Sequence, residues 1–266
     1  MSYRTVKLSG WKIELSEDFP LSFESVIASS VNLPDGQRSS FEKLASSKFA
    51  IVTKFNILFR AKVYNLILKR YLNRGLLDIL KAFICTRGQK AFSAGQILRK
   101  SGFLTPPVAA CCQKSCAGFT TADFLITAEI SDSIPLSQLF SEVSGNERQV
   151  LIEQFGQTVG LMHNQKIFHG DLRLGNILVK KNESKFDFYF LDNERTKKFR
   201  KLPMRLRVKN LVQVFMLRET LTDADRSLFL TSYLAQQQIP IDKDKLAKKV
   251  ISKTAKRLAA KGVKTV

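Results

Sequence analysis

Asp171, Asn176 and Asp192 carry side-chain oxygens at spacings that could do chemistry. Asp171 and Asn176 stand five residues apart in HGDLRLGNIL (169–178), and Asp192 follows sixteen residues after Asn176, closing the apolar run FDFYFLD (186–192). Phosphoryl transfer asks for such a set. One carboxylate orients the attacking hydroxyl, and Mg²⁺ takes a few oxygen ligands while it neutralises the phosphates. In that chemistry Asp171 is the base, and Asn176 and Asp192 are the metal ligands. The plain alternative is a polar turn without chemistry, which leaves a carboxylate at the end of the next strand unexplained. His169, one of only two histidines, reads as a structural brace rather than a base. Gly170 and Gly175 are expected to permit the tight path of the loop.

A triphosphate also needs a cation, supplied from a strand. Lys69 in NLILKRY fits best, because it follows apolar residues at a strand end; Lys62 competes and Lys54 fits less well. No glycine lies between Ser39 and Lys54. Backbone N–H groups at Ser46 and Ser47 are therefore the candidates for meeting phosphate at a strand turn. Glu129, in FLITAEI, is expected where the two halves of the chain meet and where backbone groups can reach adenine.

The elements that must position these residues are legible from periodicity. KFAIVTKFNILFRAKVYNLILK (48–69) mixes β-branched and aromatic residues with polar ones and predicts two or three antiparallel strands. Residues 76–82 and 90–100 read as helices, the second stopping at Ser101-Gly102, and Thr105-Pro106-Pro107 forces an extended segment. FLITAEI (124–130) reads as a buried strand. Val150, Leu151, Phe155, Val159 and Met162 recur at helical spacing over 147–164. A strand-rich half, 1–130, thus precedes a helix-rich half, 131–266. In KDKLAKKVISKTAKRLAAK (243–261), Leu246, Val250, Ile251, Thr254 and Leu258 share one helical face and lysines the other. An ordinary surface helix is the favoured reading, and a helix lying on a membrane the sharper one.

The 266 residues are 44% hydrophobic and 25% charged, as in globular proteins, and no run of eighteen apolar residues suggests a spanning helix. The first residues do not read as a secretory signal. Cys111, Cys112 and Cys116 lack metal-ligand spacing and read as part of a loop, with thiols kept reduced in the cytoplasm. The net charge is +20, and nineteen of 43 Lys and Arg follow Glu194 against five acids there. That bias asks for an anionic partner: nucleic acid, acidic lipid or a phosphorylated substrate. No nucleic-acid-binding motif accompanies it, so nucleic acid ranks last.

With these residues in view, the sequence resembles the protein-kinase-like superfamily, in which H-x-D-L-x-x-x-N is the catalytic loop. It is most similar to the lipopolysaccharide core sugar kinases of Gram-negative bacteria, the Kdo and heptose kinase (WaaP-like) family. LKRYLNRG (68–75), KAFSAGQILRKSGFLTPPVAA (90–110), IFHGDLRLGNILV, FYFLDNERTKKF (188–199), RLRVKNLVQVF (205–215) and DRSLFLTSYL (225–234) carry the likeness. HGDL…GNIL alone is shared with aminoglycoside and choline phosphotransferases. The resemblance implies an α+β, two-lobed protein-kinase-like fold and Mg²⁺- and ATP-dependent phosphorylation of a sugar hydroxyl, Kdo or heptose, on the lipid A–core glycolipid. It implies a peripheral place at the cytoplasmic face of the inner membrane, where an anionic leaflet would attract the basic surface. It also implies Asp171 as base, Asn176 and Asp192 as metal ligands and Lys69 on phosphate.

Three departures from the family pattern stand out. The helix that should offer Lys69 a glutamate has Ala94 near that place, between Gln89 and Gln96. Asp192-Asn193-Glu194 replaces Asp-Phe-Gly. Gly170 replaces the arginine of His-Arg-Asp, and no long activation segment follows Asp192, which points away from a regulated protein kinase. A kinase for protein or another small molecule, and a pseudokinase scaffold at the membrane, are the alternatives.

Overall fold

The computed structural model describes residues 2–8, 10–19, 42–44, 47, 49–59, 61–72, 85–116, 119–183, 185–216 and 221–260. The chain divides into two compact units, 1–95 with 106–130, and 96–105 with 131–266. The helix expected over 76–82 and Ser46 lie outside the described residues.

The first unit is built on a seven-stranded sheet, ordered β1-β2-β6-β7-β5-β4-β3. Its strands are β1 (Tyr3–Leu8), β2 (Trp11–Ser16), β3 (Glu42–Lys43), β4 (Ala50–Phe59), β5 (Lys62–Tyr71), β6 (Val108–Cys116) and β7 (Phe119–Ala128), and every neighbouring pair is antiparallel. Alternation sorts the side chains onto two faces. Leu66 and Leu68 of β5, Phe124 and Ile126 of β7 and Cys112 of β6 pack with Trp11, Ile13 and Leu15 on one face. Tyr71, Leu125 and Cys111 gather on the other with Ala91 of the helix α1 (Arg87–Lys100).

The start of α1 is pinned by a buried carboxylate. Asp123 of β7 accepts from Gly88 N at 2.7 Å and from the Thr86 hydroxyl at 3.0 Å, while Thr86 Oγ1 accepts from Gln89 N at 3.2 Å. Burial pushes the Asp123 pKa up, and those donors oppose the shift.

The cysteines correct the sequence reading. Cys111 and Cys112 lie in the middle of β6, not in a loop, and both are buried. Burial raises the Cys111 thiol well above its ordinary pKa and pushes Cys112 up to about 12, so neither is a thiolate at neutral pH. The β1–β2 hairpin was not anticipated either. Its two six-residue strands straddle the positive-φ Gly10, and β2 pairs onto β6.

The second unit forms around α3 (Gly145–Asn164), where Leu151, Phe155, Val159 and Met162 are buried as the periodicity predicts, Val150 is only partly buried, and Ile152 joins the core beside them. Before it run β8 (Ile134–Pro135) and α2 (Leu136–Glu142). After it come β9 (Ile167–Phe168), β10 (Ile177–Asn182), β11 (Lys185–Phe190), β12 (Lys197–Lys198), α4 (Met204–Val214), α5 (Asp223–Leu234) and α6 (Lys243–Ala259). Strands β11, β10 and β8 make a small sheet, and β12 pairs with β9. Leu246, Val250, Thr254 and Leu258 of α6 are buried, and the helix packs on α4 and α5. The apolar stripe of α6 is thus spent on the protein core, as in the ordinary surface-helix reading, with Ile251 left exposed. Among the described residues no helix is long and apolar enough to cross a membrane.

Candidate active site

The loop between β9 and β10 carries HGDLRLGN. Its apolar members anchor it: Leu172, Leu174 and Ile177 are fully buried. A short 3₁₀ turn over Leu174–Asn176 then feeds β10. Asn176 Nδ2 donates to the Asp171 carbonyl at 3.0 Å, closing the loop on itself and fixing which way the amide points. Antiparallel pairing sets Ile177 opposite Phe190, and Leu191 N extends the ladder to Asn176 O at 2.9 Å. The hairpin register therefore sets Leu191 opposite Asn176, and Asp192 follows one residue further on. Asp192 itself turns the chain with left-handed dihedrals, φ 54° and ψ 44°, which a short polar side chain tolerates better than most.

Arg173 closes on Asp171: Nε donates to Oδ1 at 2.8 Å and Nη2 to Oδ2 at 2.5 Å. This hydrogen-bonded pair raises the Arg173 pKa, and Asp192 adds to the same shift. Both carboxylates therefore lie within electrostatic reach of one guanidinium. Gln213 of α4 is fully engaged around the loop. Its Nε2 donates to Asp171 Oδ1 and Gly170 O, each at 3.3 Å, and its Oε1 accepts from Leu172 N at 3.2 Å and Asn210 Nδ2 at 2.9 Å.

His169 is the brace the sequence reading expects. It is fully buried, and its Nδ1 accepts from Asp171 N at 3.3 Å. The proton must then sit on Nε2, which donates to Asn193 Oδ1 at 3.0 Å. Asn193 Nδ2 donates in turn to Thr105 Oγ1 at 2.8 Å and Phe190 O at 2.9 Å. Burial lowers the His169 pKa, so the ring stays neutral and keeps both bonds.

A second chain of bonds holds the loop from below. Asn210 Oδ1 accepts from His169 N at 3.2 Å, and Asn210 Nδ2 donates to His169 O. The same Oδ1 accepts from His163 Nε2 at 3.0 Å, His163 Nδ1 accepts from Tyr233 OH at 3.0 Å, and Arg207 Nη1 reaches that hydroxyl at 3.5 Å. Burial lowers the His163 pKa to about 4.

Glycine plays a different part from the one expected of it. Neither Gly170 nor Gly175 has a positive φ. A Cβ at Gly170 would fall 2.0 Å from Arg195 Cβ and 2.7 Å from the Arg195 carbonyl carbon and oxygen. The backbone of Arg195 fills the space beside residue 170, so no side chain, arginine included, fits there without movement. At Gly175 the nearest atom would be Ser137 Oγ at 3.8 Å, an ordinary contact.

The other candidates belong to the first unit. Lys69 sits in β5 opposite Leu125 of β7 and Val52 of β4, on the strand face that carries Tyr71, whose ring lies 5.3 Å from its Nζ. Lys62 begins the same strand at the hairpin end and lies 5.1 Å from the Tyr64 ring. Glu129 pairs with Lys54 at 2.7 Å and raises its pKa, and Glu129 N donates to Asn65 O at 2.9 Å. Ser47 stabilises its own turn: its N–H donates to Ala50 O at 2.9 Å, and its hydroxyl accepts from Phe49 N at 3.1 Å and Ala50 N at 3.2 Å. Its N–H is therefore already committed within the protein. Ala94 is buried in α1, which has no acid along its length.

An antiparallel sheet in the first unit, and in the second a helical unit whose loop carries Asp171 and Asn176 and whose β10–β11 hairpin leads into Asp192, define a protein-kinase-like fold. A solved structure described as WaaP in complex with acyl carrier protein is similar at a TM-score of 0.64 and 18% identity, covering 92% of this chain and 98% of that one. The bifunctional kinase-methyltransferase WbdD is similar at 0.44 and 16% identity, over 73% of this chain and 47% of that one. No curated protein matches the sequence. The family model for the lipopolysaccharide kinases (Kdo/WaaP) matches residues 53–233, and the chain belongs to that family. It is a member of a family of kinases.

Proposed function

We propose that this protein transfers the γ-phosphate of ATP to a sugar hydroxyl, Kdo or heptose, in the inner core of lipopolysaccharide. The reading is supported by Asp171 and Asn176 on one loop closed by its own hydrogen bond, by Asp192 directly after the Leu191 N to Asn176 O bond, and by both carboxylates acting on Arg173. Asp171 accepts the proton of the attacking hydroxyl, and Gln213 aims its carboxylate. Asn176 and Asp192 are the ligands for Mg²⁺, and the donor set fits: both offer oxygen, as a hard divalent ion requires. With Nδ2 of Asn176 bonded to the loop, its Oδ1 is the atom left for the metal. Bound there, Mg²⁺ would neutralise phosphate charge. Among the described residues no group of three or more His, Cys, Asp and Glu side chains is placed to hold a metal ion.

Lys69 is the cation for the nucleotide phosphates. Its place on the stretch of β5 paired with β7 favours it over Lys62, which stands outside that pairing. Glu129 marks the adenine end, whereas Ser47, with its N–H spent on Ala50 O, is left out of the phosphate contact. Arg173, not singled out from the sequence, covers Asp171 and would move to an incoming phosphate oxygen. The net charge of +20 supports work at an anionic inner-membrane surface.

Asp171→Ala tests the assignment. Transfer to core oligosaccharide should fall by about 10²–10⁴-fold while Mg-ATP binding persists. Normal turnover by that variant would remove Asp171 from the mechanism.

A further inference from the structure

Helix α4 carries Arg205, Lys209 and Val212 at i, i+4 and i+7, and α6 carries Lys253, Lys256 and Arg257 at i, i+3 and i+4. These spacings place each set on one helical face. The two faces line one cavity of about 510 Å³, and those six residues are its lining. Five of the six are cations and none is an acid. Among the described residues, none of the five forms a salt bridge with a carboxylate.

A solvated helix surface accounts for single lysines, and the macrodipole accounts for cations near the C-terminal end of α6. Neither accounts for α4. Arg205 sits in its first turn, where the dipole disfavours positive charge and where no acid compensates. Like charges gathered around a concavity focus a positive potential into it. One wall of the groove, α4, is also the helix that holds the catalytic loop. Lys209 stands 5.4 Å from the ring of Phe168, which precedes His169, and the neighbouring Asn210 and Gln213 grip the loop from the same helix.

We propose that the groove between α4 and α6 binds phosphate groups carried by the acceptor. This rests on the reading that the acceptor is a phosphorylated glycolipid. Guanidinium and ammonium groups on two walls suit a phosphomonoester or pyrophosphate, whose several oxygens can be bonded from both sides at once. Holding the acceptor by its existing phosphates leaves the sugar hydroxyl to be set against Asp171.

The test uses the full chain and the double variant Lys253→Ala/Lys256→Ala, which alters two exposed side chains outside the catalytic loop. KM is measured with a phosphorylated acceptor glycolipid in neutral detergent micelles and with the same acceptor dephosphorylated. The expected result is a KM raised about tenfold for the phosphorylated acceptor, with KM for the dephosphorylated one and both kcat values unchanged. Equal effects on the two acceptors, or none, would overturn the proposal. So would loss of binding to phosphatidylglycerol vesicles with both KM values unchanged, which would make the groove a membrane contact. Titration with inorganic pyrophosphate, the nucleotide site filled by a non-hydrolysable ATP analogue, separates this inference from the kinase reading. If no acceptor is phosphorylated by either protein, weaker pyrophosphate binding by the variant still supports a phosphate groove, and equal binding refutes it.

Discussion

Gly170→Ala should be among the most damaging single-methyl additions to the catalytic loop. The new Cβ would fall 2.0 Å from Arg195 Cβ and 2.7 Å from the Arg195 carbonyl carbon and oxygen. Two of those three atoms are backbone, so a side-chain rotation cannot relieve the contact. Either the loop, which carries Asp171 and Asn176, or the segment that leads on from Asp192 must shift. Overpacking of this kind costs about 1–3 kcal/mol, and the backbone contact puts this case near the upper figure. For a chain of this size that is a fall of roughly 6–12 °C in Tm. Thermal unfolding followed by circular dichroism reads the stability, and phosphate transfer reads the displacement of Asp171 and Asp192. Gly175→Ala is the control, because its Cβ meets only Ser137 Oγ at 3.8 Å; it should change stability by less than about 0.5 kcal/mol. Adding Arg195→Gly to Gly170→Ala removes the closest contact and leaves the two backbone ones, so it should rescue only part of the loss. A Gly170→Ala protein with the Tm and turnover of its parent would refute the steric reasoning.

Acid should destabilise the second unit through His163. Its pKa is lowered to about 4 by burial, against about 6.5 in an unfolded chain. The unfolded state therefore takes up the proton first, and stability falls as pH drops from about 6.5 to about 4, by roughly 3 kcal/mol in all; His169 shifts in the same direction. Urea unfolding at intervals between pH 7 and pH 4 checks this, and a slope that His163→Gln leaves unaltered would refute it. In the first unit, Asp123→Ala should lower stability by about 2 kcal/mol, since it removes the acceptor for Gly88 N and the Thr86 hydroxyl at the start of α1. An unchanged urea midpoint would show that the helix start is held by other means.

The residues of the candidate site were legible because their signals are local. Asp171 and Asn176 share one short loop, Asp192 closes an apolar strand, and α3 declares itself by Leu151, Phe155 and Val159 at helical spacing. Strands β4 and β5 were readable for the same reason. The groups that hold the site were not, because their partners lie far along the chain. Asn210 bonds His169 across 41 residues, Asn193 across 24, and Thr105 meets Asn193 across 88. One signal was available: Asn210 and Gln213 are amides set among Val208, Leu211, Val212 and Val214 on the buried side of α4. Polar groups in such company must find partners. Strand β6 was misread because Cys111 and Cys112, flanked by Ala109 and Ala110, look like small loop residues until β2 and β7 pair on either side. The glycines misled in the opposite direction, since residue type alone cannot separate a position that needs dihedral freedom from one with no room for a methyl group.

The network beneath the catalytic loop is made of amides, a phenol and two neutral imidazoles, with one guanidinium, that of Arg207, at its far end. Added salt has little to screen there, whereas exposed cations lose their reach beyond about 10 Å at 0.1 M ionic strength. Ionic strength should thus act on the encounter with an anionic partner far more than on the rigidity of the reacting groups. Turnover measured at a single salt concentration samples one point on a capture curve, and varying the salt separates docking from chemistry without altering a residue.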